Sequence, residues 1–578
     1  MKNQEVSKLL QHLATLLEIK GESRFRVVAY QEAARRIENW PEPIEEVWAK
    51  GDIRKIPGIG ESIASKIEEF LSTGKLSYLE ELNREIPLEL IDLTEVPGVG
   101  PKLARLLYEQ LGIKNISDLE KALAEKKLRN LPRLGVKSEE KIARGLAMMK
   151  RQSGRMLLGQ VFPIVEEMIA YLRDTTGVQL ISPAGSVRRM KETIGDIDIL
   201  AASAQAEKIM DSFISFPRVK EIIAKGSTKS SVALEEGVQI DLRVVEKKSF
   251  GAALQYFTGS KEHNVKLREI ALKKKLKVNE YGVFRLADEK RIGGEKEEDI
   301  YQILGMEWIP PELRENQGEV ELALEKRLPR LVDFSDIKGD LHVHSNWSDG
   351  VASIEEMAKA AHKRGYQYLA ICDHSQSLAV ASGLTPAEIA QRKKEIDRWN
   401  DENQELVLLN GVEANILSDG LLDLPDEELK KLEIVVAGLH SGLSQVQEKI
   451  MARLEAAMKN PLVQVISHPT GRIINKRDAY QVEVDRLLQI AALTNTYLEL
   501  NSQPERLDLR DIDARRGKEK FGLKMVISTD AHDPKSLDYI RYGVAQARRA
   551  WLGPEDVLNT LDLKQLKECL ALKQKKHN

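Results

Sequence analysis

From residue 337 onward, apolar runs of strand length alternate with helix-forming stretches, and this alternation constrains the fold more than any other feature. The runs are Asp340–His344, Tyr368–His374, Glu405–Asn415, Glu433–His440, Val463–Pro469, Thr496–Asn501 and Lys524–His532. About seven βα units in succession predict a parallel barrel, because parallel strands need crossover connections that lay helices on the sheet. Six of the ten histidines fall at the ends of these runs: His342, His344, His374, His440, His468 and His532, joined by Asp349, Glu413 and Asp530. Functional side chains of such barrels gather at the C-terminal ends of strands. His342 and His344, two apart on a strand, point to one face. A lone histidine is ordinarily a satisfied polar residue, but nine ligand-type residues so placed predict a metal cluster. Imidazole with carboxylate suits zinc or manganese, with iron a further choice. Clustered metals polarise a phosphate and generate hydroxide at neutral pH, which is phosphoester hydrolysis. His12, His362 and His577 are not so placed and are expected at the surface.

The 336 residues upstream have a different texture. Residues 1–85 read as short helices joined by Pro/Gly turns, expected to form a DNA-binding helical domain, and 86–150 repeat that style. Residues 151–249 read as mixed α/β with strands at 195–202 and 238–245, and 250–318 as a smaller α/β unit. The stretch 311–336 is charged, carries a proline near each end and has little periodicity, so an interdomain linker is expected there, with 319–336 as its body before the barrel domain of 337–578. A length of 578 residues agrees with several domains at roughly 150 residues each. The composition, 42% hydrophobic and 31% charged, is that of a globular protein. No apolar run approaches the roughly 20 residues of a membrane helix. The N-terminal residues alternate charge with leucine and do not read as a signal peptide, so a cytoplasmic protein with Cys372 and Cys569 as free thiols is expected. A net charge of −3 does not advertise a nucleic-acid binder, but binding faces are local. The basic clusters Lys137–Arg155 and Lys261–Lys277, each taken alone, read as solvated helix faces.

Two short motifs stand out. Ile56-Pro57-Gly58-Ile59-Gly60 and Val96-Pro97-Gly98-Val99-Gly100 are near-identical, and each precedes a helical run. Gly58, Gly60, Gly98 and Gly100 let backbone approach a phosphate, and the following helix N-terminus offers free N–H groups to an anion. Such contacts read a nucleic-acid backbone and not its bases. Leu131-Pro132-Arg133-Leu134-Gly135 is a degenerate third copy. The second motif is Gly185-Ser186-Val187-Arg188-Arg189 followed by Gly195-Asp196-Ile197-Asp198. Asp196 and Asp198, two apart on a strand, project together, and Asp241 in the strand at 239–243 is the natural third carboxylate. Three converging carboxylates are what two magnesium or manganese ions need. Ser186, Arg189 and the Gly195 backbone, with Arg155 in support, are candidates to cradle a triphosphate.

The paired Pro-Gly turns resemble helix-hairpin-helix motifs, and the Gly-Ser/Asp-x-Asp pattern resembles the nucleotidyltransferase signature of the polymerase beta superfamily. Tyr256-Phe257-Thr258-Gly259-Ser260 narrows this to the thumb of family X DNA polymerases. The nine barrel residues resemble the ligand set of the PHP family. Over nearly its whole length the chain is thus similar to bacterial, polymerase beta-like family X DNA polymerases with a C-terminal PHP domain. The resemblance implies a multidomain α/β architecture: N-terminal helix-hairpin-helix domains (1–85, lyase-like; 86–150, fingers), a palm (151–249), a thumb (250–318) and a PHP (β/α)7 barrel. It implies that Tyr256 and Phe257 sit against the incoming sugar, with Gly259 in the same turn. It further implies that Asn264 contacts the nucleotide's minor-groove edge and Arg268 the template. It distributes three metals over His342, His344, Glu413 and Asp530; over Asp349, His374 and His532; and over Glu413, His440 and His468. Lys66 falls at the position of the lyase nucleophile, where an amine would form a Schiff base with a sugar aldehyde; a lysine touching phosphate from a hairpin helix is the equal alternative. Two departures stand out: Gln239 where family members often carry arginine two residues before the third aspartate, and Ser62 where a supporting lysine is usual.

The activity so implied is gap-filling DNA synthesis in base excision repair. With it go a metal-dependent 3′–5′ exonuclease and an AP endonuclease or 3′-phosphoesterase activity. The partners are gapped or nicked DNA and deoxynucleoside triphosphates, and a monomer in the cytoplasm at the nucleoid is expected. Two rivals are a nucleotidyltransferase fused to a small-molecule phosphatase and a DNA-binding scaffold with dead sites. The tandem hairpins and the Tyr256–Ser260 segment argue against the first, the complete carboxylate and ligand sets against the second.

Overall fold

The computed structural model describes residues 2–38, 40, 43–56, 58–87, 89–94, 96, 98–132, 134–152, 155–378 and 381–575. Pro57, Pro97 and Arg133 of the hairpin motifs and His577 lie outside the described residues. The chain forms two compact units, Met1–Ser153 with Asn475–Asp478, and Gly154–Ile474 with Ala479–Asn578. No helix of the described residues is long and apolar enough to cross a membrane.

The first unit is helical. Leucines at helical spacing on Lys2–Lys20 (Leu10, Leu13 and Leu17) are buried with Tyr30, Ala34 and Ile37 of Arg24–Glu38. The two Pro-Gly turns fold alike. Gly58 and Gly98 hold φ of 80° and 95°, a left-handed conformation that a side chain disfavours. Ile59 N donates to Ile56 O at 3.1 Å and Val99 N to Val96 O at 2.8 Å. Gly60 and Gly100 then cap the helices Glu61–Thr73 and Pro101–Leu111.

The second unit contains the stretches expected as palm, thumb and barrel. The palm is a five-stranded sheet in the order Leu180–Pro183, Asp196–Ala202, Gln239–Val245, Lys229–Leu234 and Val219–Lys225. Asp196–Ala202 and Gln239–Val245 are the parallel pair, in a register that sets Asp198 opposite Asp241. Helices Leu158–Thr176 and Ala206–Ile214 bury the sheet's apolar side chains, Ile197, Ile199, Ile240 and Leu242 among them. The thumb joins helices Phe250–Thr258, Lys261–Lys273 and Glu297–Ile303 to a small antiparallel sheet, Leu276–Asn279, Gly282–Arg285 and Arg291–Gly293.

In the barrel all seven apolar runs contribute strands, parallel and in sequence order: Gly339–Val343, Tyr368–Ile371, Val407–Asn415, Ile434–Gly438, Val465–Ile466, Tyr497–Asn501 and Met525–Ser528. A parallel bridge between Val343 and Ala531 joins the ends of the first and last strands. The strands are buried nearly throughout because both faces are covered.

The stretch 311–336 is not free chain. Leu313, Val320, Ala323 and Leu331 belong to the thumb's core and Val332 to the barrel's. Its charges misled the sequence reading because several are buried and paired. Arg314 donates to Glu297 Oε1 at 2.6 Å, and Glu319 accepts from the backbone N–H of Asn316 and Gln317 and lies 2.7 Å from His263 Nδ1.

Candidate functional sites

The palm site is built on the parallel strand pair. Asp196 is exposed, Asp198 half-buried and Asp241 buried. Gly185, at φ 57°, lies so close to Asp198 that a Cβ would fall 2.6 Å from Oδ2, so the Gly-Ser turn can pass the carboxylate only as glycine. Burial, with the negative charges of Asp196 and Asp241, pushes the Asp198 carboxyl up to about 6. Burial acts on Asp241 in the same direction but is outweighed by hydrogen bonds from Lys229, Gln239 and Ser231, so its carboxyl is held below the ordinary range. Lys229 Nζ stands 2.7 Å from Asp241 Oδ2 and Gln239 Nε2 donates to Oδ1 at 2.8 Å. Gln239 thus supplies a neutral donor where arginine is usual, and the positive charge comes from the neighbouring strand. Such a carboxylate set suits a divalent cation, since charge within it favours ionised Asp198.

Around this centre the expected cradle residues take different positions. Ser186 lies in the short helix Gly185–Arg188. Arg189 donates through Nε to Glu315 at 3.1 Å and through Nη1 to the carbonyl of Thr258, tying the turn to the thumb. Arg155 donates to Thr193 O at 2.6 Å, and its Nη1 would lie 3.0 Å from a Cβ on Gly195. Tyr256 and Phe257 meet edge to face at 5.1 Å, with Arg243 over the Phe257 ring at 4.5 Å. Gly259, at φ 69°, faces Arg189 Nη1. Asn264 donates to Tyr256 O at 2.7 Å, and Arg268, exposed, donates to Asn264 O at 3.3 Å. In the N-terminal unit Lys66 Nζ donates to Ser62 Oγ at 3.0 Å and lies over the Tyr78 ring at 4.8 Å.

The barrel mouth gathers all nine expected residues. His344, Asp349, His374 and His532 form one group, His342, His344 and Asp530 a second, and His374, Glu413 and His440 a third, with the ligand atoms of each group within 4.8 Å of one another. His468 Nε2 is 3.1 Å from Glu413 Oε1. Among the described residues, every group of three or more such side chains close enough to hold one ion lies here. Both ring nitrogens of His440 are buried without hydrogen-bond partners, Nε2 among them on the Glu413 side, as a ligand nitrogen would be before it meets its ion. Burial pushes His374 down to about 3, whereas on His532 the Asp349 charge overcomes burial and lifts it to about 9. Neutral imidazole beside ionised carboxylate is the state that binds a cation. The donor set fits divalent metals.

A shell of residues the sequence reading missed holds these candidate ligands. Glu499 Oε1 lies 2.8 Å from His342 Nδ1, and its other oxygen accepts from His468 N at 2.5 Å. Asn501 donates to Asp530 Oδ2 at 3.1 Å, and Ser467 to Glu413 Oε1 at 2.7 Å. Asp373, held by the fully buried Arg392 at 2.9 Å, accepts from Ser345 and Ser348 in the loop that carries Asp349. Glu499 and Asn501 were recoverable from their two-residue spacing on a strand; Arg392 carried no such signal.

Comparison with known proteins agrees with this architecture. Residues 1–76 match a helix-hairpin-helix domain family, 90–147 a SAM-like helix-hairpin-helix tandem, 253–315 the DNA polymerase beta thumb and 340–503 the PHP domain. The DNA polymerase/3′-5′ exonuclease PolX of Bacillus subtilis (strain 168) is 40% identical over 572 residues, 99% of each chain. A probable phosphatase of Thermoanaerobacter sp. (strain X514) is 28% identical over 41% of this chain and 96% of its own length. DNA polymerase lambda of Arabidopsis thaliana is 28% identical over 54% of this chain and 62% of its own. With a full-length relative at this identity, the helix-hairpin-helix, thumb and PHP matches in one order, and both sites built from the residues above, the chain belongs to the PolX family of DNA polymerase/3′-5′ exonucleases.

Proposed function

We propose that this chain is a DNA-directed DNA polymerase that fills short gaps during repair, and that its barrel is a metal-dependent 3′–5′ exonuclease. The observation that carries the polymerase reading is the register of Asp198 with Asp241 on parallel strands, beside Asp196 and the Gly185 turn. Asp196, Asp198 and Asp241 hold divalent ions, Mg²⁺ or Mn²⁺. Ser186, Arg189, Gly195 and Arg155 receive the triphosphate of the incoming deoxynucleotide. Tyr256, Phe257 and Gly259 face its sugar, Asn264 its base edge, and Arg268 the template. Lys229 and Gln239 orient Asp241 through its two oxygens. Gly58, Gly60, Gly98 and Gly100 admit DNA phosphates to backbone N–H groups. In the barrel the nine ligands hold up to three ions of zinc, manganese or iron, while Glu499, Asn501 and Asp373 fix the ligands' orientation. Bound ions supply Lewis-acid stabilisation of the transferred phosphate and, in the barrel, a hydroxide nucleophile.

The same barrel chemistry serves a 3′-phosphate or an abasic site, a reading favoured by the similarity to bacterial phosphatases. Gapped or nicked DNA is the shared substrate, the cytoplasmic nucleoid its place, and a monomer the working form. Primer extension on gapped DNA with Mg²⁺ or Mn²⁺ tests the proposal. Nucleotide addition by the natural protein that is lost in Asp198→Ala, with 3′–5′ degradation intact, supports it; no addition under either metal sinks it.

A further inference from the structure

The turn that carries Arg189 is gripped from the barrel. Arg549, the last residue of the helix Ile540–Arg549, is buried and donates through Nη1 to the backbone carbonyl of Arg189 at 2.9 Å. The same nitrogen lies 3.1 Å from Glu315 Oε1, the oxygen that also accepts from Arg189 Nε. On its other side Arg549 Nη2 is anchored 2.7 Å from Asp511 Oδ2 at the start of the preceding barrel helix, Asp511–Phe521. A second barrel arginine, Arg472, pairs with Glu192 at 2.8 Å. Between these two grips stands Met190, at φ 52°, a left-handed conformation that costs a side chain about 1 kcal/mol or more. A residue held so needs its surroundings to fix it, and the carbonyl captured by Arg549 belongs to the peptide just before Met190. The contact is a charged donor on a peptide carbonyl out of water, among the stronger hydrogen bonds a protein makes.

We propose that Arg549 is a positioning residue of the polymerase site. From the barrel it fixes the conformation of the turn 185–192, and with it the place of Arg189, by a route that does not use the barrel's metal ligands. This rests on the reading of that turn as the triphosphate cradle. It gives the barrel a second role, as the rigid backing of the nucleotide site, and accounts for half-buried Glu315 accepting from both Arg189 and Arg549.

Hydrogen exchange in the intact protein tests the positioning directly, with deoxynucleotide kinetics on gapped DNA measured alongside. In Arg549→Ala, amides within 186–192 exchange about tenfold faster while the barrel strands keep their protection, and the KM for nucleotide rises about tenfold with kcat and 3′–5′ degradation little changed. Arg549→Lys recovers part of both effects, and Asp511→Asn, which loosens the anchor without removing the arginine, moves them in the same direction by less. Unchanged exchange in 186–192 in both Arg549→Ala and Asp511→Asn overturns the proposal. So does faster exchange spread evenly over palm and barrel, which marks a general stabilising role. If the natural protein adds no nucleotide, the polymerase reading fails, and the exchange result still decides whether Arg549 holds the turn.

Discussion

Asp198 and Asp241 are register partners across two parallel strands, yet their proton affinities diverge. Asp198 is held up to about 6 by burial and by its two acidic neighbours, whereas Lys229 and Gln239 hold Asp241 below the ordinary range. The pair divides the work of an electrostatically loaded site: one carboxylate stays ionised through its own partners, and the other needs a cation.

That division sets a pH dependence. The folded Asp198 carboxyl titrates near 6 and the unfolded one near 4, so between those values the folded state binds more protons. The metal-free protein therefore loses stability as pH rises through that window, by up to about 3 kcal/mol at neutral pH. Asp198→Asn should melt higher than the natural protein in EDTA at pH 7, and the advantage should vanish near pH 4. Equal melting temperatures at pH 7 would contradict this.

Glu413 lies within 4 Å of five imidazoles, with His342 Nε2 at 3.5 Å, His344 Nε2 at 3.8 Å, His374 Nδ1 at 3.0 Å, His440 Nε2 at 3.2 Å and His468 Nε2 at 3.1 Å. Glu413→Ala should lower bound metal and abolish 3′–5′ degradation together, while gap filling continues. Metal analysis and the two activity assays on one preparation check it. A variant that keeps its metal and its nuclease would remove Glu413 from the site.

Glu499 acts one step further out. By accepting from His342 Nδ1 it leaves Nε2 free as a ligand. Glu499→Gln keeps the volume but weakens that preference, so metal affinity should fall by about ten- to a hundredfold with the fold and gap filling intact. Competitive titration against a chelator gives the measurement, and an unchanged affinity would make Glu499 merely structural.

The barrel was legible because its candidate ligands mark the strand ends, so that strand and candidate site announced each other: His342 lies on the first strand and His344 directly after it, and Asp530 and His532 close the series. Asp196 and Asp198 were legible for the same reason of period two. What escaped was pairing between distant charges. Nothing in the spacing of Lys229, Glu315 or Arg549 distinguishes them from solvated surface residues, and their partners lie far away or on other elements. The stretch 311–336 was misjudged for that reason too: Arg314 and Glu319 look like linker charges until Glu297 and His263 stand beside them.

The hairpin glycines invite a salt-dependence test. Gly58 and Gly98 hold left-handed backbone that a branched side chain adopts only with strain, and a distorted turn withdraws its N–H groups from a phosphate. Gly58→Val and Gly98→Val should each weaken binding to gapped DNA and reduce the slope of affinity against salt, without changing sequence preference. A gain of sequence preference, or unchanged affinity in the double variant, would speak against phosphate binding here.

Lys66 separates two chemistries by experiment. Its amine donates to the hydroxyl and the carbonyl of Ser62 one turn earlier and rests over Tyr78, so its nitrogen is held in place on the helix that follows the first Pro-Gly turn. A Schiff base forms by attack of a neutral amine on the sugar aldehyde, with loss of water. If Lys66 is the nucleophile, borohydride should trap a covalent adduct with incised abasic DNA, and Lys66→Ala should remove it. If Lys66 touches phosphate instead, no Lys66-dependent adduct should form, and Lys66→Ala should weaken DNA binding and reduce its salt slope by about one. An adduct that persists in Lys66→Ala places the nucleophile on another residue.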